Sequence, residues 1–242
     1  MRGDGDGWSR GPDGVRHWGR FGAAGLLLRA PLGAGGSAVL LQHRAAWSHE
    51  GGTWALPGGA RDSHETPVHA AVREAGEEAG IKAGDVRVRV ERVTATAPSG
   101  WSYTTVIADA AETLPTSANG ESVELAWVPE DEVDQRPLHP GFAAAWPSLR
   151  ALPARLDLSA VPADDAEELA EALPRTVYLA GQGFVWLHTE AAGPGERAAI
   201  VGDEAAASNN ADVSVPAAPT REPGQPTALT VALTFTRGQL LA

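Results

Sequence analysis

Between Gly59 and Ile81 the chain places Gly59, Glu65, Arg73, Glu74, Glu77, Glu78 and Gly80 at intervals that dictate local structure. Thr66 suits a helix N-cap, Pro67 suits the first helical position, Val68 to Ala79 is compatible with a helix, and Gly80 can take the left-handed conformation that ends one. The segment therefore reads as loop, helix, turn. On that helix Glu74, Glu77 and Glu78 fall at i, i+3 and i+4, which puts them on one face within a turn. Like charges that close repel, and a hard divalent cation with oxygen ligands relieves the repulsion while leaving positions for a phosphate. An isolated EAGEE would read as a solvated acidic helix face. The preceding WALPGG, Trp54 to Gly59, favours the cation, because a glycine turn lets a backbone carbonyl approach where a side chain would clash.

The stretch GGARDSHETPVHAAVREAGEEAGI, Gly58 to Ile81, resembles the Nudix box, G-x5-E-x7-R-E-U-x-E-E-x-G-U with U aliphatic, and fills every fixed position. The resemblance implies hydrolysis of a diphosphate linked to another moiety, with Mg²⁺ or Mn²⁺ as cofactor. It implies that Glu74, Glu77 and Glu78 are catalytic and metal-binding and that the Gly58 carbonyl is a further ligand. Glu65 and Arg73 are then an ion pair that braces the catalytic loop. Family members often add a carboxylate from the loop before a later strand. Glu121, six residues before Trp127, is the positional match, and Glu124 competes with it. Two positions are unusual: Ala75 is smaller than the common aliphatic, and Gly76 costs the helix about 1 kcal/mol relative to Ala unless it allows close packing on a strand.

Outside the box, FGAAGLLLR from Phe21 and SAVLLQHR from Ser37 read as a hairpin joined through PLGAGG. DVRVRVERVTAT and WSYTTVIADA read as two more strands. A short strand is expected at Leu125 to Val128, a helix after Pro129, and a closing helix from His139 interrupted at Pro147. This order resembles the Nudix α/β/α sandwich with a mixed β-sheet over residues 17–152. Residues 1–16 then form an N-terminal segment and 153–242 a C-terminal extension, β-rich and partly flexible. Within the extension a helix is expected at 162–173, one or two strands around the Gly181 to Gly183 turn, a linker from Gly193 to Thr227, and a strand in TALTVALTF. His188 beside Trp186 is read as packed or surface, not as a ligand.

Net charge of -12, from 31 acidic and 19 basic residues, opposes electrostatic tracking along a nucleic acid polymer. A small metal-bound phosphate ester suits it better. The absence of cysteine, of an apolar leader and of a membrane-length apolar run points to a soluble, cytoplasmic protein without disulfides or a membrane partner. The oligomeric state is not legible.

Substrate markers are mixed. LLQHRAAW is partly similar to the upstream motif of coenzyme A pyrophosphatases, from which Gln42 and LPGG depart. Pro98 lies near the proline of ADP-ribose pyrophosphatases, and Tyr103 lies beyond the tyrosine of dinucleoside-polyphosphate hydrolases. Trp101 and Tyr103, on one face of a strand, are candidates to stack a base, although core packing is the commoner role. The first expectation is hydrolysis of a nucleoside triphosphate, including oxidised ones, to nucleoside monophosphate and pyrophosphate. The alternatives are ADP-ribose or a nucleotide sugar as substrate, or a nucleotide-sensing module that binds without hydrolysing.

Overall fold

The computed structural model describes residues 3–12, 14–32, 36–155, 175–179, 183–188 and 229–230. The chain divides into two compact units, Met1–Leu32 with Ser37–Pro147 and Gly33–Gly36 with Ser148–Ala242.

The first unit opens with a two-stranded antiparallel hairpin, β1 (Trp8–Arg10) and β2 (Arg16–Trp18), in which Trp8 lies opposite Trp18. Its main sheet has seven strands: β3 (Ala23–Pro31), β4 (Ser37–Arg44), β5 (Trp54–Ala55), β6 (Gly58–Ala60), β7 (Arg87–Thr96), β8 (Ser102–Asp109) and β9 (Ser122–Pro129). β3 and β8 run parallel and the other pairs run antiparallel, so the sheet is mixed. β3 and β4 stay paired for only three positions, Arg29 to Pro31 against Ser37 to Val39. They then part. β5 pairs with β4 and β6 pairs with β3, so the segment Trp54 to Ala60 fills the fork. Pro57, which cannot donate to a ladder, sits where the chain crosses between them, and its carbonyl accepts from Leu26 N at 2.9 Å.

Helix α1 (Pro67–Ala79) begins where expected: Thr66 caps His69 N and Gly80 ends the helix at φ 73°. Ala70, Ala71, Ala75 and Ala79 pack on Ala24, Leu26, Leu28 and Ala30 of β3 and on Val106 and Ala108 of β8. The four alanines explain the small residue at position 75, since helix and sheet backbones approach closely along this stripe. Gly76 behaves differently from expectation. It is exposed, and the nearest group to an added Cβ is the Ile81 carbonyl, not a strand.

Three expected elements are revised. β9 spans the whole of Ser122–Pro129, because all of it except Val123 finds a register partner on β4. Pro129 is followed by a single 3₁₀ turn, Val133–Gln135, in place of a helix. Helix α2 (Pro140–Leu149) runs through Pro147. That proline falls in the last turn, where its missing N–H forfeits one intrahelical bond and the rest of the helix stands. No helix among the described residues is long and apolar enough to cross a membrane.

The second unit contains β10 (Ala151–Arg155), β11 (Thr176–Leu179), β12 (Gly183–His188) and β13 (Leu229–Thr230), in the order β11-β12-β10-β13. β11 and β12 form the expected antiparallel pair, with Leu179 opposite Gly183, while β10 pairs in parallel with β12 and β13. β10 was not anticipated, and the expected boundary near Pro153 falls inside it. The expected helix at 162–173 and the linker from 193 to 227 lie outside the described residues, as does most of TALTVALTF.

One ion pair is buried in the first unit. Arg29, with no exposed surface, donates from Nε and Nη2 to Glu130 at 2.8–3.2 Å, and Ser37 Oγ donates to Glu130 Oε2 at 2.8 Å. Removing one partner takes this close counter-charge away from the other in the core. Glu130→Ala is expected to cost about 3–5 kcal/mol in urea unfolding; a loss below about 1 kcal/mol would show the pair to be dispensable.

Candidate active site

The loop before α1 and the helix itself are joined through Arg73. Its guanidinium donates to both oxygens of Glu65 (Nε to Oε1 2.7 Å, Nη2 to Oε2 3.0 Å), to the Ala60 carbonyl at 3.0 Å and to Glu74 Oε1 at 2.8 Å. Glu65 Oε2 also accepts from Asp62 N at 3.1 Å. Loop and helix thus share one charged hub, as the resemblance implies. The guanidinium holds the Glu65 carboxyl below the usual carboxylate range.

The three helix carboxylates diverge more than their spacing suggests. Glu74 turns towards Arg73 and lies against Gly59, where an added Cβ would come within 2.5 Å of Glu74 Oε1 and push the carboxylate aside. Glu77 is largely exposed, 3.6 Å from Arg73. Glu78 points inward and accepts from the Gly58 N–H at 2.7 Å. Gly58 is pressed onto β3, with a hypothetical Cβ 2.5 Å from the Ala24 carbonyl. The structure therefore brings the box loop to Glu78 and Glu74, and leaves Glu77 at the solvent edge.

Burial and mutual repulsion set the protonation of the inner pair. Burial, reinforced by Glu74, pushes the Glu78 carboxyl up to about 8 against the opposing hydrogen bonds from Gly58 and Gln42. Burial also raises Glu74 to about 7, with Arg73 opposing. The negative charge of Glu121 adds a little to both shifts. The loop before β9 is stitched to the end of α1 by Ser117 N to Ala79 O at 2.9 Å, and Glu121 itself accepts from Ala45 N through its carbonyl. Glu124 lies further along β9, opposite His43. A cluster elsewhere, Asp4, Asp62 and His64, has its ligand atoms within 4.8 Å of one another. Its two carboxylates already accept from Ser63 and Gly5, so hydrogen bonding accounts for it.

Gln42 was legible only as a departure from a motif. It is buried on β4 and donates to Ser122 Oγ, in the residue after Glu121, at 2.8 Å, and its side chain favours the charged form of Glu78.

Beside the box lies a cavity of about 240 Å³. Gly58 and Gly59 form part of its wall, and Tyr103, Thr105, Trp101 and Phe142 form others. Tyr103 and Trp101 do come together, with ring centroids 6.5 Å apart. Trp101 sits just before β8 instead of within it, and one face of its indole is already covered by His17 at 4.5 Å. The Tyr103 hydroxyl fits against Gly25, whose Cβ would collide with it, and burial raises its pKa. Trp8, Arg16, His17 and Trp18 also line the cavity. None of these four was among the expected site residues; two of them, Trp8 and Arg16, lie in the expected N-terminal segment 1–16.

The Nudix domain matches residues 20–152. The chain belongs to the Nudix family. A Mycobacterium tuberculosis protein named "Putative 8-oxo-dGTP diphosphatase 3" is 56% identical over 190 residues, covering 77% of this chain and 85% of that protein. A Bifidobacterium longum nucleoside triphosphate pyrophosphatase/Nudix hydrolase fusion protein is 44% identical over 158 residues, 63% of this chain and 32% of that one. Among solved structures, the Nudix hydrolase RenU of M. smegmatis is 64% identical with a TM-score of 0.58, over 59% of this chain and 91% of RenU. The protein is a Nudix pyrophosphohydrolase, a member of a family that generally works with divalent metals.

Both inner carboxyls lie above their ordinary value of 4.5, so without a cation the folded chain binds more protons than the unfolded chain between about pH 4.5 and pH 8. Stability then falls as pH rises through that window, and the penalty is complete above about pH 8. The thermal midpoint of the metal-free protein should drop by several degrees from about pH 5 to about pH 8.5, with a flatter profile for Glu78→Gln. A midpoint that rises with pH would contradict the protonation assigned here. Arg73→Ala should weaken both metal affinity and turnover by about ten- to a hundredfold, and an unchanged Mn²⁺ titration would refute the bracing role.

Proposed function

We propose that this protein hydrolyses nucleoside triphosphates, including oxidised ones, to nucleoside monophosphate and pyrophosphate, with Mg²⁺ or Mn²⁺ as cofactor. The observation that carries the reading is the meeting of a carboxylate-bearing helix and an aromatic cavity at Gly58 and Gly59. The diphosphate is held at the helix and the nucleoside enters the cavity. The name of the M. tuberculosis relative supports a nucleoside triphosphate carrying an oxidised base. Pro98, the marker that kept ADP-ribose open, lies in the turn closed by Gly100 N to Ala97 O and does not line the cavity. A small nucleotide is the partner, and the cytoplasm, where such nucleotides and Mg²⁺ are abundant, is the compartment that suits it.

The donor set fits a hard divalent cation: it consists of oxygens, and burial drives two of its carboxyls towards neutrality, a cost that a cation offsets. Glu77, Glu78, Glu121 and the Gly58 carbonyl would hold it, with Glu74 as a further ligand or as general base. When bound, the metal neutralises diphosphate charge and lowers the pKa of the attacking water. Glu74 suits the base role because its pKa of about 7 lies near neutral pH. Arg73, on one oxygen of Glu74, orients the carboxylate and leaves the other oxygen to accept the proton. Water adds at phosphorus, the bridging P–O bond breaks, and pyrophosphate leaves with its electron pair.

A screen of nucleoside triphosphates, oxidised nucleoside triphosphates, ADP-ribose and nucleotide sugars with Mg²⁺ or Mn²⁺ is expected to rank the triphosphates first. Glu77→Gln and Glu78→Gln should each lower kcat by about 10² or more with the fold intact by circular dichroism. Near-normal turnover in both variants would remove this helix face from the mechanism.

A further inference from the structure

Resting on the reading of this site as a nucleoside triphosphate hydrolase, we propose that the N-terminal hairpin β1–β2 is the base-binding wall of the site, with His17 and Trp18 as its base-stacking residues. The cavity that begins at Gly58 and Gly59 has Trp8, Arg16, His17 and Trp18 among its lining residues. Two strands of three residues each are too short to persist alone, so the hairpin takes its place from its anchors. Gly5 N donates to Asp62 Oδ1 at 2.7 Å, and Ser63 donates to Asp4 from both N and Oγ. At the other end the Trp101 indole N–H donates to the Trp18 carbonyl at 2.9 Å, and the Trp8 ring approaches His49 at 6.2 Å. These contacts pin the hairpin to the box loop, to the β7–β8 turn and to the β4–β5 loop.

The chemistry of the lining selects the ligand. It contains five aromatic rings, from three tryptophans with Tyr103 and Phe142, and three imidazoles, His17, His49 and His139, together with Arg16 and Arg44, and no Asp, Glu, Asn or Gln. Sugar hydroxyls would find few acceptors there. A flat, electron-rich base finds ring faces and cations, the combination that holds bases by stacking irrespective of their hydrogen-bonding edge. The rings are already ordered: His17 stacks on Trp101 at 4.5 Å and 24°, Trp8 meets Trp18 edge-on at 5.3 Å, and the Arg16 guanidinium lies 5.2 Å over Trp8. Trp8 and Trp18 nevertheless remain 47% and 43% exposed, an uncovered aromatic surface at the cavity wall. The competing role is a splint, in which the hairpin merely steadies Asp62 and Ser63 of the catalytic loop.

Substrate comparison separates these roles in the full-length protein. Trp18→Ala and His17→Ala should each raise KM for a nucleoside triphosphate about tenfold with kcat within about twofold, while KM for abasic deoxyribose 5′-triphosphate stays unchanged. Trp18→Phe, which keeps a ring, should recover most of the loss and guards against misfolding as the cause. Mn²⁺ affinity read by electron paramagnetic resonance should match the wild type in all three variants. Equal losses on the abasic compound, or a fall in kcat with weakened Mn²⁺ binding, would establish the splint and overturn the proposal. Should the wild type hydrolyse no nucleoside triphosphate, the proposed activity fails separately. The base wall is then decided by quenching of tryptophan fluorescence with a nucleoside monophosphate: binding weakened in the alanine variants upholds it, and binding equal to wild type overturns it.

Discussion

The bond from the Gly58 N–H to the buried carboxylate of Glu78 ties the loop before α1 to the helix itself. It depends on the fork in the sheet. β3 and β4 separate after three pairs, Trp54 to Ala60 fills the gap, and Gly58 is pressed onto β3 where no side chain fits. From the opposite direction the alanine stripe of α1 brings the helix close enough for Glu78 to reach the loop. A bulkier residue on either surface would move the carboxylate away from the backbone it meets. The arrangement also isolates a negative group from water, and burial dominates its pKa. Under the proposed metal site, a cation would offset this electrostatic cost and so couple metal binding to folding.

Arg73 supplies the fixed positive charge in this neighbourhood. Its fork geometry reaches Glu65, Glu74 and the Ala60 carbonyl together, which a lysine could not reproduce. Rigidity at this hub matters because displacement of a carboxylate by a fraction of an ångström changes ligand geometry. The aromatic cavity adjoins this hub without sharing its carboxylates. The proposed sites of charge recognition and base recognition would therefore use separate residues that meet at two glycines. Such a division lets the aromatic wall vary while the phosphate chemistry stays constant.

Much of this was readable from the chain. The box intervals gave the helix, its N-cap Thr66 and its left-handed stop at Gly80, because these are local rules acting within one turn. Alternation in β7 and β8 was equally local. The Glu65–Arg73 pair followed from the resemblance. Less visible were the ends of elements: β9 is longer than its apolar run because β4 offers it partners, and α2 continues past Pro147 because that proline lies in the last turn. Glu130, taken as an acid opening a helix, is instead the buried partner of Arg29, a relation across about a hundred residues.

The sequence by itself determined the family, the chemistry and the helix that carries it, since those reside in residue types at short fixed spacing. Only the tertiary structure decided which carboxylates turn inward, because burial is a property of the surrounding sheet and not of the helix. Glu77 and Glu78 are neighbours in the chain, yet one is largely exposed and the other almost wholly buried. The same holds for the cavity. Trp8 in the expected N-terminal segment, and Trp18 just after it, line the cavity only because long-range anchors hold them near Trp101 and the loop before α1. Local rules cannot encode contacts that exist only when distant segments meet.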